Sequence, residues 1–137
     1  MPEKQKIEIR EVMKKAMLEH ALRELPYEAC GVISGNREGK AVKFCPARNE
    51  LHSSTRYNVH PEDLLFILQD IEEQGHHLWG VFHSHPCSEA YPSSTDIEKA
   101  YYPHAYYLIL SLLEPRCPVL RAFILGNTVE EIELVIV

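Results

Sequence analysis

Residues 80–96 read GVFHSHPCSEAYPSSTD, an apolar lead-in followed by two histidines, two prolines, several serines and an aspartate. With its upstream neighbours the stretch opens as HLWGVFHSH (77–85), an apolar run with the look of a strand. Histidines two apart share one face of an extended strand, whereas on a helix they stand about 200° apart. His83 and His85 can therefore point to one place, and Pro86 fixes the chain direction just after them. Asp96 comes eleven residues after His85, beyond a loop long enough to turn back. Two imidazoles and a carboxylate with a fourth position open make the donor set of a catalytic zinc, since structural zinc sites usually close with four protein ligands. A blander reading uses the same residues. Ser93-Ser94-Thr95-Asp96 is also a helix capping box, and an isolated H-x-H pair in a strand is often only structural.

Working outward, IEI (7–9) is a short strand and Glu11–Leu25 an amphipathic helix with Val12, Met13, Ala16, Met17, Ala21, Leu22 and Leu25 as its apolar stripe, ended by Pro26. ACGVISG (29–35) and KAVKFCPA (40–47) pair through the Asn36–Gly39 turn. Another strand is expected within Ser53–His60. Pro61 opens a second helix with Leu64, Leu65, Ile67, Leu68 and Ile71 on its apolar face and Gly75 as its stop. STDIEKAYY begins a short third helix that cannot continue through Pro103. Three strands follow, in 105–113, 118–125 and 129–137, the last two joined at Gly126–Asn127. The order βαβββαβαβββ predicts a single domain over residues 1–137, α/β or α+β in class, with a mixed sheet flanked by helices.

The whole chain bounds the function. It has 137 residues, 45% hydrophobic and 25% charged, with a net charge of −6. That balance suits a soluble globular protein and argues against a nucleic-acid partner, which needs clustered Lys and Arg. No stretch resembles a signal peptide or a membrane span, so no membrane partner and a cytoplasmic location are expected. Cys30, Cys45, Cys87 and Cys117 form no C-x-x-C pair, and free, mostly buried thiols are the expectation. Cys87 lies beside the histidine motif and Cys30 beside Glu28; Cys30 is expected to face away from the site. The other histidines (20, 52, 60, 76, 77 and 104) have no ligand-like spacing with a carboxylate.

The segment resembles the signature of the JAMM (MPN-type) zinc metallopeptidases, H-x-H-P-x6-S-x2-D, complete here as His83-Ser84-His85-Pro86, Ser93 and Asp96. That family also carries a glutamate at the start of an apolar strand, and Glu28 in LPYEACGVISG is similar. The resemblance implies an MPN-like, cytidine deaminase-like architecture and one Zn2+ ion held by His83, His85 and Asp96. It gives Glu28 the role of general base toward the attacking water and Ser93 that of hydrogen-bond donor to the oxyanion. Ser84, between the histidines, is expected on the opposite strand face with a structural role.

The resemblance further implies hydrolysis of peptide or isopeptide bonds at the C-terminal Gly-Gly of a small ubiquitin-like or β-grasp sulfur-carrier protein. Without long insertions the chain looks like the short prokaryotic type. A tail of that kind could add as a strand beside an exposed edge, for which Ser53–His60 is the expected segment. The alternatives are a non-catalytic MPN-type scaffold and a zinc amidohydrolase of small-molecule amides.

Overall fold

The computed structural model describes residues 5–137. Seven strands form one mixed sheet: β1 (Lys6–Ile9), β2 (Cys30–Gly35), β3 (Ala41–Ala47), β4 (His77–His85), β5 (Tyr106–Ser111), β6 (Val119–Leu125) and β7 (Val129–Ile136). Three helices accompany them, α1 (Glu11–Glu24), α2 (Pro61–Glu73) and α3 (Ser94–Glu98). The strand order is β1-β7-β6-β5-β4-β2-β3. β2 runs antiparallel to both β3 and β4, whereas β4 and β5 are parallel. A parallel neighbour cannot be reached by a tight turn. The chain must cross over between β4 and β5, and residues 86–105 are that crossover, with α3 inside it.

The core lies on both faces of the sheet. On one, Met13, Met17 and Ala21 of α1 pack against Ile33, Phe82, Leu108 and Ala122. On the other, Ile67 and Ile71 of α2 cover Cys30, Val32 and Cys45, and the crossover covers Val81, Tyr107, Ile109 and Phe123. Strand alternation sorts these residues: β4 sends Phe82 to the α1 side and Val81 to the α2 side. His83 and His85 share the parity of Val81 and so emerge on the α2 side.

Most elements lie within a residue or two of their sequence-based bounds, but three expectations fail. Ser53–His60 is not a strand; among the described residues its β-type pairing is the isolated bridge of Asn49 to Val59, and the element order has one strand fewer. The Ser53 hydroxyl accepts hydrogen bonds from the Thr55 and Arg56 N–H groups, and His52 has φ of 46°, so local turns displace a ladder. In α1 the buried stripe is Met13, Met17, His20 and Ala21, while Val12, Leu22 and the following Leu25 are exposed. Val12 lies about 100° round the helix from Met13 and falls outside the narrow face. In α2, Ile67 and Ile71 are buried but Leu65 and Leu68 are exposed for the same reason. Among the described residues no helix is long and apolar enough to cross a membrane.

Candidate metal centre

At the C-terminal end of β4, His83, Ser84 and His85 are all buried. The two imidazoles lie on one face, with their Nε2 atoms 3.2 Å apart. Asp96 arrives from the crossover. It sits in the first turn of α3, where Ser93 and Asp96 form a reciprocal capping box. The Ser93 hydroxyl accepts from the Asp96 N–H at 3.1 Å, and Asp96 Oδ2 accepts from the Ser93 N–H at 2.9 Å. That same Oδ2 stands 3.0 Å from His83 Nε2 and 3.1 Å from His85 Nε2. Glu28 enters from the segment leading into β2. Its carboxylate and the three other side chains bring one donor atom each within 4.8 Å of one another. The expected base Glu28 and the expected ligands His83, His85 and Asp96 therefore meet in one buried group, and the Ser93–Asp96 capping box is part of the same arrangement.

The donor chemistry suits a cation. His85 Nδ1 lies 2.7 Å from the Glu89 carbonyl oxygen, which can only accept, so Nδ1 carries the proton. In the neutral ring Nε2 is then a lone pair, aimed at Asp96 Oδ2 and His83 Nε2. Such an outer hydrogen bond is how metal-binding histidines are usually oriented. The three facing atoms are 3.0–3.2 Å apart. Donors about 2.0–2.2 Å from a tetrahedral zinc stand roughly 3.3–3.6 Å apart. To hold such an ion these donors would have to spread by only a few tenths of an ångström. Glu28 Oε1 and His83 Nδ1 are buried with no protein partner, a costly state for polar atoms.

Electrostatics follow from burial and from the cluster itself. Burial pushes the Glu28 carboxyl up to about 8, with His85 pulling it down and Asp96 adding to the rise. Burial also lowers His83. Burial opposes protonation of His85 as well, but its bonds to Asp96 and the Glu89 carbonyl win and raise it. Burial alone would raise Asp96; the two histidines outweigh it and hold the carboxyl well below the usual range. A divalent cation among these donors would draw Glu28 back toward the ionised form.

Residues with no spacing signal complete the site. Tyr57 stacks on His83 with ring centroids 4.3 Å apart and planes 17° from parallel. Ser84, on the opposite face, accepts from the Ala29 N–H at 2.8 Å and so ties the ligand strand to the residue after Glu28. Cys30 stands directly across from His83 in the β2–β4 register. It therefore shares the site's face rather than turning away, because residues two apart, Glu28 and Cys30, lie on the same side. Of the cysteines only Cys30 and Cys45 are buried; Cys87 and Cys117 are exposed. His20 is buried and bonded to the carbonyls of Cys30 and Ala47.

Residues 10–125 match the Prok-JAB family, the prokaryotic homologs of the JAB domain. The chain belongs to this family. Its likeness to other JAB proteins extends over most of the molecule. It is 34% identical over 116 residues to the CysO-cysteine peptidase of Mycobacterium tuberculosis, covering 84% of this chain and 80% of that protein. It is 37% identical over 95 residues to the desampylase of Haloferax volcanii, covering 68% of each. A solution structure of a protein from Desulfitobacterium hafniense superposes with a TM-score of 0.87 at 34% identity, over 96% of this chain and 92% of that one. A JAB1/MPN domain protein from Archaeoglobus fulgidus shares the fold at a TM-score of 0.61 and 20% identity, over 96% of this chain and 99% of that one. The JAMM resemblance and the α+β architecture are borne out, and this JAB-domain chain is an enzyme, a hydrolase of the JAMM type.

Proposed function

We propose that the chain is a zinc-dependent peptidase that cuts behind the C-terminal Gly-Gly of a small ubiquitin-like or sulfur-carrier protein. The observation that carries this reading is the convergence of Glu28, His83, His85 and Asp96 in one buried group. Relatives named for action on CysO-cysteine and as desampylases support the substrate class. His83, His85 and Asp96 are the proposed ligands. When bound, zinc supplies a Lewis acid that brings the pKa of a water to about 7 and polarises a carbonyl oxygen.

The chain's own groups do the rest. Glu28 takes a proton from the attacking water and returns it to the leaving amine, work worth ~10²–10⁴-fold. Ser93 uses its hydroxyl oxygen to accept from Asp96, which leaves its proton to donate to the developing oxyanion. A cavity of about 100 Å³ shares Asp96 with the cluster and is walled by Tyr57, Val59, Leu64, Val81 and Tyr102. It offers an apolar wall for a side chain of the bound tail, and glycines at the cut allow close approach of the backbone. Unpaired thiols fit a reducing, cytoplasmic setting.

The test is incubation of the zinc-loaded protein with a carrier extended beyond Gly-Gly, weighed by mass spectrometry. Cleavage after Gly-Gly, slowed ~10²–10⁴-fold in Glu28→Gln, is expected; cleavage at an undiminished rate in Glu28→Gln would sink the mechanism. One zinc per chain is expected by elemental analysis, and the same stoichiometry in a His83→Ala, His85→Ala double variant would overturn the ligand assignment.

A further inference from the structure

Glu28 lies between α1 and β2, outside both, so no helix or ladder holds its backbone. Both of its backbone polar groups nevertheless have partners, and both partners belong to one segment, the strap of residues 48–60 that leads from β3 to α2. The Glu28 N–H donates to the Ser53 carbonyl at 2.8 Å. The Glu28 carbonyl accepts from Asn49 Nδ2 at 3.1 Å.

Asn49 organises that strap. Its side chain is buried, and Nδ2 also donates to the Arg56 carbonyl at 3.0 Å. Its Oδ1 accepts from the N–H groups of Leu51 and Asn58, both at 3.1 Å. An asparagine amide has two donor hydrogens and two acceptor lone pairs, and all four are used here. One side chain thus replaces the ladder that Ser53–His60 lacks, and its remaining hand grips Glu28. The same strap carries Tyr57 onto the face of His83.

We propose that Asn49 is a positioning residue: by tying the strap to the Glu28 carbonyl it sets the Glu28 carboxylate against His83, His85 and Asp96. It touches no reacting atom and acts through Glu28. The inference rests on the reading of Glu28 as the base, so its test includes an arm that needs no substrate.

Asn49→Asp exchanges one atom, keeps the oxygen that accepts from Leu51 and Asn58, and removes both donated bonds. Two measurements on the full zinc-loaded chain read its effect. By NMR, amide exchange at Glu28 should speed up at least ~10-fold while Val32 and Ile33 in β2 stay protected. In carrier cleavage, kcat should fall ~10–100-fold with KM within about 2-fold, as displacement of a catalytic group predicts. In a Glu28→Gln background the same substitution should change kcat by less than about 2-fold, because the effect passes through Glu28. Unchanged exchange at Glu28 would overturn the proposal, and so would an equal fold-loss in both backgrounds, which marks a merely structural staple. Should Asn49→Asp not fold, Asn49→Ser, too short to reach both carbonyls, is read by the same criteria. If the parent enzyme cleaves no carrier, the substrate assignment falls, while the exchange measurement still decides Asn49.

Discussion

Glu28 is buried at 3% exposure, with one carboxylate oxygen lacking a protein partner. In metal-free protein this has a definite pH signature. Its carboxyl ionises near 4.5 in the unfolded chain and at about 8 in the fold. Between those values the unfolded state has released the proton and the folded state still holds it. Stability therefore falls as pH rises across that window and gains nothing further below it. Urea unfolding of metal-free wild type and Glu28→Gln from pH 4 to 9 should show the wild type losing ground as pH rises, by on the order of a few kcal/mol. Parallel curves for the two proteins would refute the burial argument. Zinc should flatten the difference, since its charge favours the carboxylate.

Among the elements, β2 shows how closely the sheet is fitted around the site. A Cβ on Gly31 would stand 2.6 Å from the Cys45 carbonyl oxygen and 2.6 Å from the Phe44 ring. Backbone on the neighbouring strand cannot give way as a side chain tip can. Gly31→Ala should cost ~1–3 kcal/mol in chemical denaturation; a loss below about 0.5 kcal/mol would show that β3 can move. Elements of this kind were legible in the sequence because their signals are local. Strand β4 runs from His77 to His85, as its apolar pattern predicted, and α2 starts at Pro61. That His83, His85 and Asp96 could meet was legible from H-x-H alternation and the Ser93–Asp96 cap, which are short-range geometry, whereas Glu28, far upstream, was reached only through the family resemblance. The strap was not. Its residues alternate enough to suggest a strand, and only the tertiary bonds of Asn49 and the turn at Ser53 decide otherwise. Tyr57 and Asn49 reach the site across gaps in sequence that no spacing rule spans.

At the scale of the molecule, the clusters of buried residues among the described residues lie on the two faces of one continuous sheet. We propose on that basis that the chain unfolds as one unit. Calorimetry of the zinc-loaded protein should give a single transition with calorimetric and van't Hoff enthalpies equal; two resolved transitions would divide it. The crossover has a different freedom from the sheet. It is anchored at His85 and Tyr106 by the parallel pairing of β4 and β5, and between them α3 has only five residues. Asp96 Oδ2 serves at once as the cap of that helix and as the partner of both histidines. Fraying of α3 and release of Asp96 are then one event. With zinc bound as proposed, its release would be limited by how often this short turn opens, so that retention of the metal would become a matter of helix kinetics.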